Sequence, residues 1–297
     1  MTPELFRSDR AVTHAPGRAR ALPILAVCAM AVTAIAGCAK SSPNAHGATR
    51  SSGMPGSQAL RLAADEARRV TSLSATLDVA STGRSVSALT GTLAEQVKPL
   101  LFRATFQGSL DGTAMTGGVE TIMTSGAVYA KVPTMAAVTH KPWVKLSFTA
   151  LKGPAAAAYA PLMNQFRAVN PTSQTEMLAS ATGVRDIGTG TIGGAAVTGY
   201  SGTLKLTSAL ASVDPALRKI VGPGLTASGF RLAHFRVWVT AQHLVRKLVE
   251  VTSGNGSHIT TQLVITSVNK PVSVTIPPAS QVGTAPGLFP GSHGHRR

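Results

Sequence analysis

The 297-residue sequence predicts an α+β domain built on one large antiparallel sheet of about eleven strands. Three observations carry that reading. Apolar and polar residues alternate with a period of two through most of the chain, short Gly-containing turns separate the alternating runs, and a few helical stretches interrupt them. No shift in composition marks a second domain. A twisted sheet of that size curls, and helices must then cover its apolar face.

The chain opens with Arg7, Arg10, Arg18 and Arg20 ahead of an uncharged apolar run from Ala21 to Ala36, the pattern of a secretory leader. The run is shorter than the about 20 apolar residues of a spanning helix, and Pro23 sits inside it. It ends Ile35-Ala36-Gly37-Cys38, which resembles the lipobox of bacterial lipoproteins. The expectation is a leader over residues 1 to 37, cleavage, and a lipidated Cys38 as the first mature residue. Two acyl chains anchor a protein stably where one binds only marginally. Residues 38 to 56 then form a tether rich in Ser, Gly and Pro, with a root-mean-square reach of about 25 Å. Removing the leader leaves 24 basic and 10 acidic residues, a mature charge of +14 beside an anionic leaflet.

The body is expected over residues 57 to 280. Leu60, Ala63, Ala64, Ala67 and Val70 share one helical face after Ser57, which reads as the N-cap. Leu73, Ala75, Leu77 and Val79 then alternate with polar partners, followed by Leu89, Gly91 and Leu93, and by Leu100, Phe102, Ala104 and Phe106, a meander of three strands. Further strands are expected at 113 to 123, 127 to 132 and 143 to 148, with Ser125-Gly126 as a turn. Helices are expected at 154 to 168, 172 to 181 and 207 to 221. Between the last two, strands 185 to 192 and 196 to 206 flank Gly193-Gly194 as a hairpin. Strands at 229 to 240, 243 to 252, 258 to 268 and 272 to 276 complete the sheet, and a Pro- and Gly-rich tail over 281 to 297 frays.

Composition excludes several functions. Charged residues are 13% of the chain against roughly 25% in an average soluble protein, and the net charge of +16 reflects 12 acids facing 28 Lys and Arg. That shortage argues against carboxylate metal chemistry, and the scattered basic residues argue against a nucleic-acid arm. Both cysteines, Cys28 and Cys38, lie at the N-terminus, so the body has no disulfide and no Cys-based zinc site. Gly188, Gly190 and Gly193 spell G-x-G-x-x-G, but the extended pattern after them suits a hairpin rather than a dinucleotide loop. Ser267-x-x-Lys270 lacks the partner motifs of a penicillin-binding site, and the acids stand singly apart from Asp65-Glu66. His234, His243 and His258 are separated along strands, and His293 and His295 sit in the tail. No catalytic residue, metal or cofactor is expected.

Five segments resemble the actinobacterial LppX/LprG lipoprotein family, whose members are LolA-like half-barrel lipid carriers. They are the lipobox, a first helix ending Ala67-Arg68-Arg69-Val70, the pair Val128-Tyr129-Ala130-Lys131-Val132 and Pro142-Trp143-Val144-Lys145-Leu146, the run Val237-Trp238-Val239-Thr240 into Leu244-Val245-Arg246-Lys247-Leu248, and the ending Val272-Ser273-Val274-Thr275-Ile276-Pro277. Thr240 stands where the resemblance would place a motif acid, and 186 to 228 is Gly-rich. The resemblance implies a half-barrel with helices on its concave face, enclosing a cavity for acyl lipids or lipoglycans that the protein helps carry across the cell envelope. It implies a monomer on the extracytoplasmic face of the cell membrane, with a membrane transporter as candidate partner. The strand residues Leu77, Leu93, Phe102, Phe106, Trp238, Val249 and Leu263 are the expected cavity lining. The alternative is a non-catalytic envelope scaffold with a filled core that binds cell-wall polymer or a protein partner.

The lipobox yields one direct expectation: Cys38→Ala releases the protein from membranes into the medium. Fractionation checks it, and a mutant that sediments with membranes as tightly as the parent would place the anchor elsewhere.

Overall fold

In a computed structural model, the described residues are 54–83, 86–97, 99–147, 175, 177–212 and 229–284. The expected leader, Cys38 and most of the tether lie outside them, as do the helix at 154 to 168, residues 172 to 174 and 176 of the next, most of that at 207 to 221, and the tail from 285.

Helix α1 (Gly56–Ala67) buries Leu60, Ala63, Ala64 and Ala67 of the stripe its spacing predicts, with Ala59 beside them, while Val70 falls past its end and is half-buried. Its start differs from expectation. Pro55 occupies the N-cap position, and its carbonyl accepts from the N–H groups of Gln58 and Ala59. Ser57 lies inside the first turn and caps nothing. Gly56 explains the shift: a Cβ there would stand 2.7 Å from Val184 Cγ1 and 3.1 Å from the Tyr200 ring, so glycine lets the helix start press onto the sheet.

The strands are β1 (Ser72–Thr82), β2 (Ser87–Gln96), β3 (Leu101–Leu110), β4 (Thr113–Ala114), β5 (Val119–Thr124), β6 (Ala127–Lys131) and β7 (Trp143–Ser147) in the first half. The second half holds β8 (Thr182–Ile192), β9 (Ala195–Lys205), β10 (Leu232–Thr240), β11 (Val245–Gly254), β12 (Ser257–Val268) and β13 (Val282–Thr284). They form one 13-stranded sheet in the order β13-β7-β6-β5-β3-β2-β1-β12-β11-β10-β9-β8, with β4 paired to β3. It is large, open and curved, and antiparallel except for the β13–β7 pair. Each half is a meander of neighbours, and β1 joins them by pairing with β12 from Leu73↔Val268 to Thr82↔His258. The start of that seam is tied by side chains. Thr71 donates from its N–H (2.8 Å) and its hydroxyl (3.2 Å) to Asn269 Oδ1, and the Ser72 hydroxyl donates to the Lys270 carbonyl at 2.6 Å.

Several boundaries depart from the alternation. The run 113 to 123 divides into β4 and β5 because Gly117 and Gly118 take φ of 78° and 66°, a turn that alternation alone does not reveal. Pro133 opens an unanticipated helix α2 (Pro133–Thr139) between β6 and β7, closed by His140 in the left-handed region. A third helix, α3 (Leu206–Ser212), follows β9 directly. Residues 272 to 276 make no ladder. Prolines at 271, 277 and 278 flank them and cannot donate, and the sheet edge beside β7 is taken by β13 from the segment expected to fray. Gly283 permits this approach, because a Cβ there would lie 3.1 Å from the Thr139 side chain.

The Gly193-Gly194 hairpin forms as its sequence dictates, with φ of 56° and 78° at the two central positions, the mirror-image turn that matches strand twist. Gly194→Ala is expected to lower stability by about 1 kcal/mol, seen as a lower urea midpoint, whereas Gly193→Asn should leave it nearly unchanged.

Candidate functional site

The face of the sheet toward α1 is apolar along whole lateral rows. Strand registers align Tyr200, Val237, Leu248, Leu263, Leu77, Gly91, Phe106 and Val119 across eight adjacent strands. At about 4.8 Å between strands, such a row runs some 34 Å along the curve. A neighbouring row places Ile265, Ala75, Leu93, Ala104, Thr121, Ala130 and Val144 in line. These residues, with Leu60 and Ala63 of α1 and the fully buried Leu178, belong to one continuous apolar cluster that excludes only Gly91, Val119, Thr121, Ala130 and Val144.

Glycines set the relief of this face. A Cβ on Gly202 would stand 2.7 Å from Phe235 Cζ, and one on Gly91 would meet the ring of its cross-strand neighbour Phe106 at 2.6 Å. Both aromatic rings therefore lie down over bare backbone instead of standing upright. Beside Phe106 lies a cleft of about 570 Å³, lined by Phe106, Met115, Val119, Val132, Pro133 and Ala136 together with Thr105, Gln107, Glu120 and Lys131, whose strand parity is opposite to that of Phe106. That volume falls within the usual 300–1,000 Å³ of ligand pockets.

Of the seven residues expected to line a cavity, Leu77, Leu93, Phe102, Phe106 and Leu263 lie in this cluster. Trp238 and Val249 do not, and their assignment is corrected. In β10 the buried positions are Ala233, Phe235, Val237 and Val239, so Trp238 projects from the opposite, convex face. There it stands beside Gly199 and carries Lys247 Nζ 5.5 Å from its ring centroid. Its parity is legible in the sequence. Val249 is moved by a β-bulge: Val239 pairs with Val245 but Trp238 pairs with Lys247, leaving Arg246 as the extra residue. Past the bulge, Leu248, Glu250 and Thr252 face inward, and Val249 pairs with Arg236 on the convex side. The other singled-out groups behave as ordinary structure. Asp65 and Glu66 pair with Arg68 and Arg69 on the exposed side of α1, and Ser267 ends a strand. Among the described residues no group of His, Cys, Asp and Glu could hold a metal ion, and no helix is long and apolar enough to cross a membrane.

Sequence reasoning missed two acids on the concave face. Glu95 faces inward on β2, paired with Phe102, and Glu250 lies between Phe235 and Thr261 in the middle of the second half. They are 3% and 7% exposed. Burial pushes both carboxyls from the usual 4.5 up to about 7. The period-two pattern of β2 carries the signal for Glu95, since it shares the parity of Leu89 and Leu93. Nothing in the sequence reveals Glu250, because the bulge decides its side.

The sign of the resulting pH effect follows from proton binding. The folded state holds these protons more tightly than the unfolded chain, so their contribution is complete below about pH 4.5 and is lost as pH rises through about 7. Above that range each buried carboxylate costs roughly 3 kcal/mol. The urea midpoint should therefore fall between about pH 5 and pH 8, and Glu250→Gln should remove about half of that fall. A flat parent profile would mean that both acids are ionised and compensated.

No family model matches the chain, and no curated protein matches it in sequence. Among solved structures it is similar to the lipoprotein LppX of Mycobacterium tuberculosis at 17% identity, covering 74% of this chain and 97% of that one with a TM-score of 0.44. It is similar to LprF from Mycobacterium bovis at 14% identity, over 75% and 96% of the two chains with a TM-score of 0.44. A LolA superfamily protein from Nitrosomonas europaea is similar at 8% identity, over 76% and 97% with a TM-score of 0.25.

Proposed function

We propose that the protein is a membrane-anchored, non-catalytic carrier that binds acyl lipids or lipoglycans against its concave face and helps carry them across the cell envelope. The observation that supports this most is the apolar row across eight strands, whose last members, Phe106 and Val119, line the cleft. An acyl chain needs no directional contact, only removal from water. At about 0.8 kcal/mol for each buried CH₂, a 16-carbon chain supplies on the order of 12 kcal/mol gross. A long, smooth trough suits such a ligand, and the rings laid over Gly91 and Gly202 keep it smooth. Helix α1 packs on the β8 side of this face and against Leu178, which leaves the Phe106 end as the mouth nearest the cleft. Leu77, Leu93, Phe102, Phe106 and Leu263 would touch the chain, and the acylated Cys38 would hold the carrier at the extracytoplasmic side of the cell membrane.

Native mass spectrometry after mild extraction tests this reading. Co-purifying acyl lipid is expected, and a bare polypeptide mass would favour the filled-core scaffold. Val119→Trp should cut the bound lipid while leaving the urea midpoint of the lipid-free protein little changed, because the cleft of about 570 Å³ that Val119 lines accepts volume. In a close-packed core the same change would cost roughly 1 to 3 kcal/mol. Val249→Trp, on the convex face, should leave lipid occupancy at the parent level.

A further inference from the structure

The bulge that turns Val249 outward also builds a groove on the convex face of β8 to β11. Strand registers align Arg185, Ser201, Arg236 and Val249 side by side, so two guanidinium groups flank one hydroxyl across two strand spacings, about 10 Å. The next row adds Thr203 and His234, whose Oγ1 and Nδ1 lie 3.2 Å apart and which both line the groove. Val249 and Val251 form an apolar wall. The groove holds about 450 Å³.

Its charge is one-sided. Among the described residues no carboxylate lines the groove, and the three ion pairs found, Arg68–Asp65, Arg69–Glu66 and Arg103–Glu120, leave Arg185 and Arg236 without a counter-ion. Asp186 follows Arg185, but its Oδ1 accepts from the Gly188 N–H at 2.7 Å. Glu250 follows Val249 but faces the opposite side of the sheet. Two planar, permanently charged donors around a hydroxyl pair and an imidazole match a tetrahedral oxyanion with several acceptor oxygens.

The position of the groove indicates where that anion comes from. The first turn of α1, where residues 38 to 56 join the body, is packed on Val184, the neighbour of Arg185 in the edge strand. The basic groove and the root of the tether thus share one margin of the sheet. We propose that this convex groove binds the phosphate of an anionic lipid headgroup and docks the folded body on the bilayer beside its tether. The site is separate from the concave trough, so it stands whether or not the trough carries lipid.

The test uses the full chain carrying Cys38→Ala, sedimented with vesicles of mixed phosphatidylglycerol and phosphatidylcholine and with phosphatidylcholine alone. Binding is expected to depend on phosphatidylglycerol and to weaken as salt screens the contact. Adding Arg185→Ala and Arg236→Ala should weaken it roughly 30-fold, the effect of two basic side chains at an anionic surface. Arg68→Ala with Arg69→Ala removes the same charge from α1 and should leave binding near the parent value. Equal losses in the two double variants would reduce the effect to net charge and overturn the site. Inorganic phosphate supplies the other arm, followed by the NMR signals of the His234 ring. Competition between phosphate and vesicles supports the assignment. Phosphate binding without any preference for phosphatidylglycerol vesicles would overturn the headgroup as its source.

Discussion

The ladder between β1 and β12 is the constraint on which the rest depends. It joins residues nearly two hundred positions apart, and without it the chain would be two separate meanders, each with an open edge in the middle of the present sheet. Such a pairing is slow to form, because loop closure must precede any reward from contact. The sequence places polar groups where the closure needs them. Asn269, in the left-handed region at φ 53°, turns the chain out of β12 and accepts from Thr71, while Ser72 bonds the next carbonyl. The apolar row through Leu77 and Leu263 crosses this seam, so the concave surface is continuous only because the seam holds it in register.

The two faces of the sheet use aromatic residues in opposite ways. On the concave side Phe106 and Phe235 lie over glycines, which hides backbone and leaves a smooth hydrocarbon surface. On the convex side Tyr129, Trp143 and Trp238 each carry a lysine ammonium 5.5 to 6.0 Å from the ring centroid. The outward rings are thereby kept amphipathic, and the face as a whole is basic. The apolar cluster thus lies on one face of the sheet and the lysine-capped aromatic rings on the other. A single extra residue, Arg246, breaks this division in β11 by turning Glu250 inward and Val249 and Val251 outward.

Glu250 shows the cost of that arrangement. Its backbone neighbours in β11 are set by the bulge, and the carboxyl is consequently held among Phe235, Thr261 and the apolar rows. A protonated carboxyl there retains a hydrogen-bond donor on a mainly apolar face, beside the buried hydroxyl of Thr261.

Alternation of side chains is a local property, so the sequence by itself determined that the body is a large antiparallel sheet and which residues of β1, β2 and β3 face inward. It determined the stripe of α1 and the Gly193-Gly194 hairpin for the same reason, since each depends on residues a few positions apart. Leu77, Leu93, Phe102, Phe106 and Leu263 were legible on those grounds, and Trp238 could have been assigned correctly from the parity of Phe235 and Val237. Tertiary structure decided the rest. Whether Val249 or Glu250 faces inward depends on a bulge whose need arises only when β10 and β11 must pair around the His243 turn. That 282 to 284, rather than 272 to 276, completes the sheet depends on which segment can reach β7, with Gly283 small enough to pass Thr139. The convex groove likewise exists only because the registers of β8, β9 and β10 bring Arg185 and Arg236 to either side of Ser201, an alignment of residues far apart in the chain that no local pattern encodes.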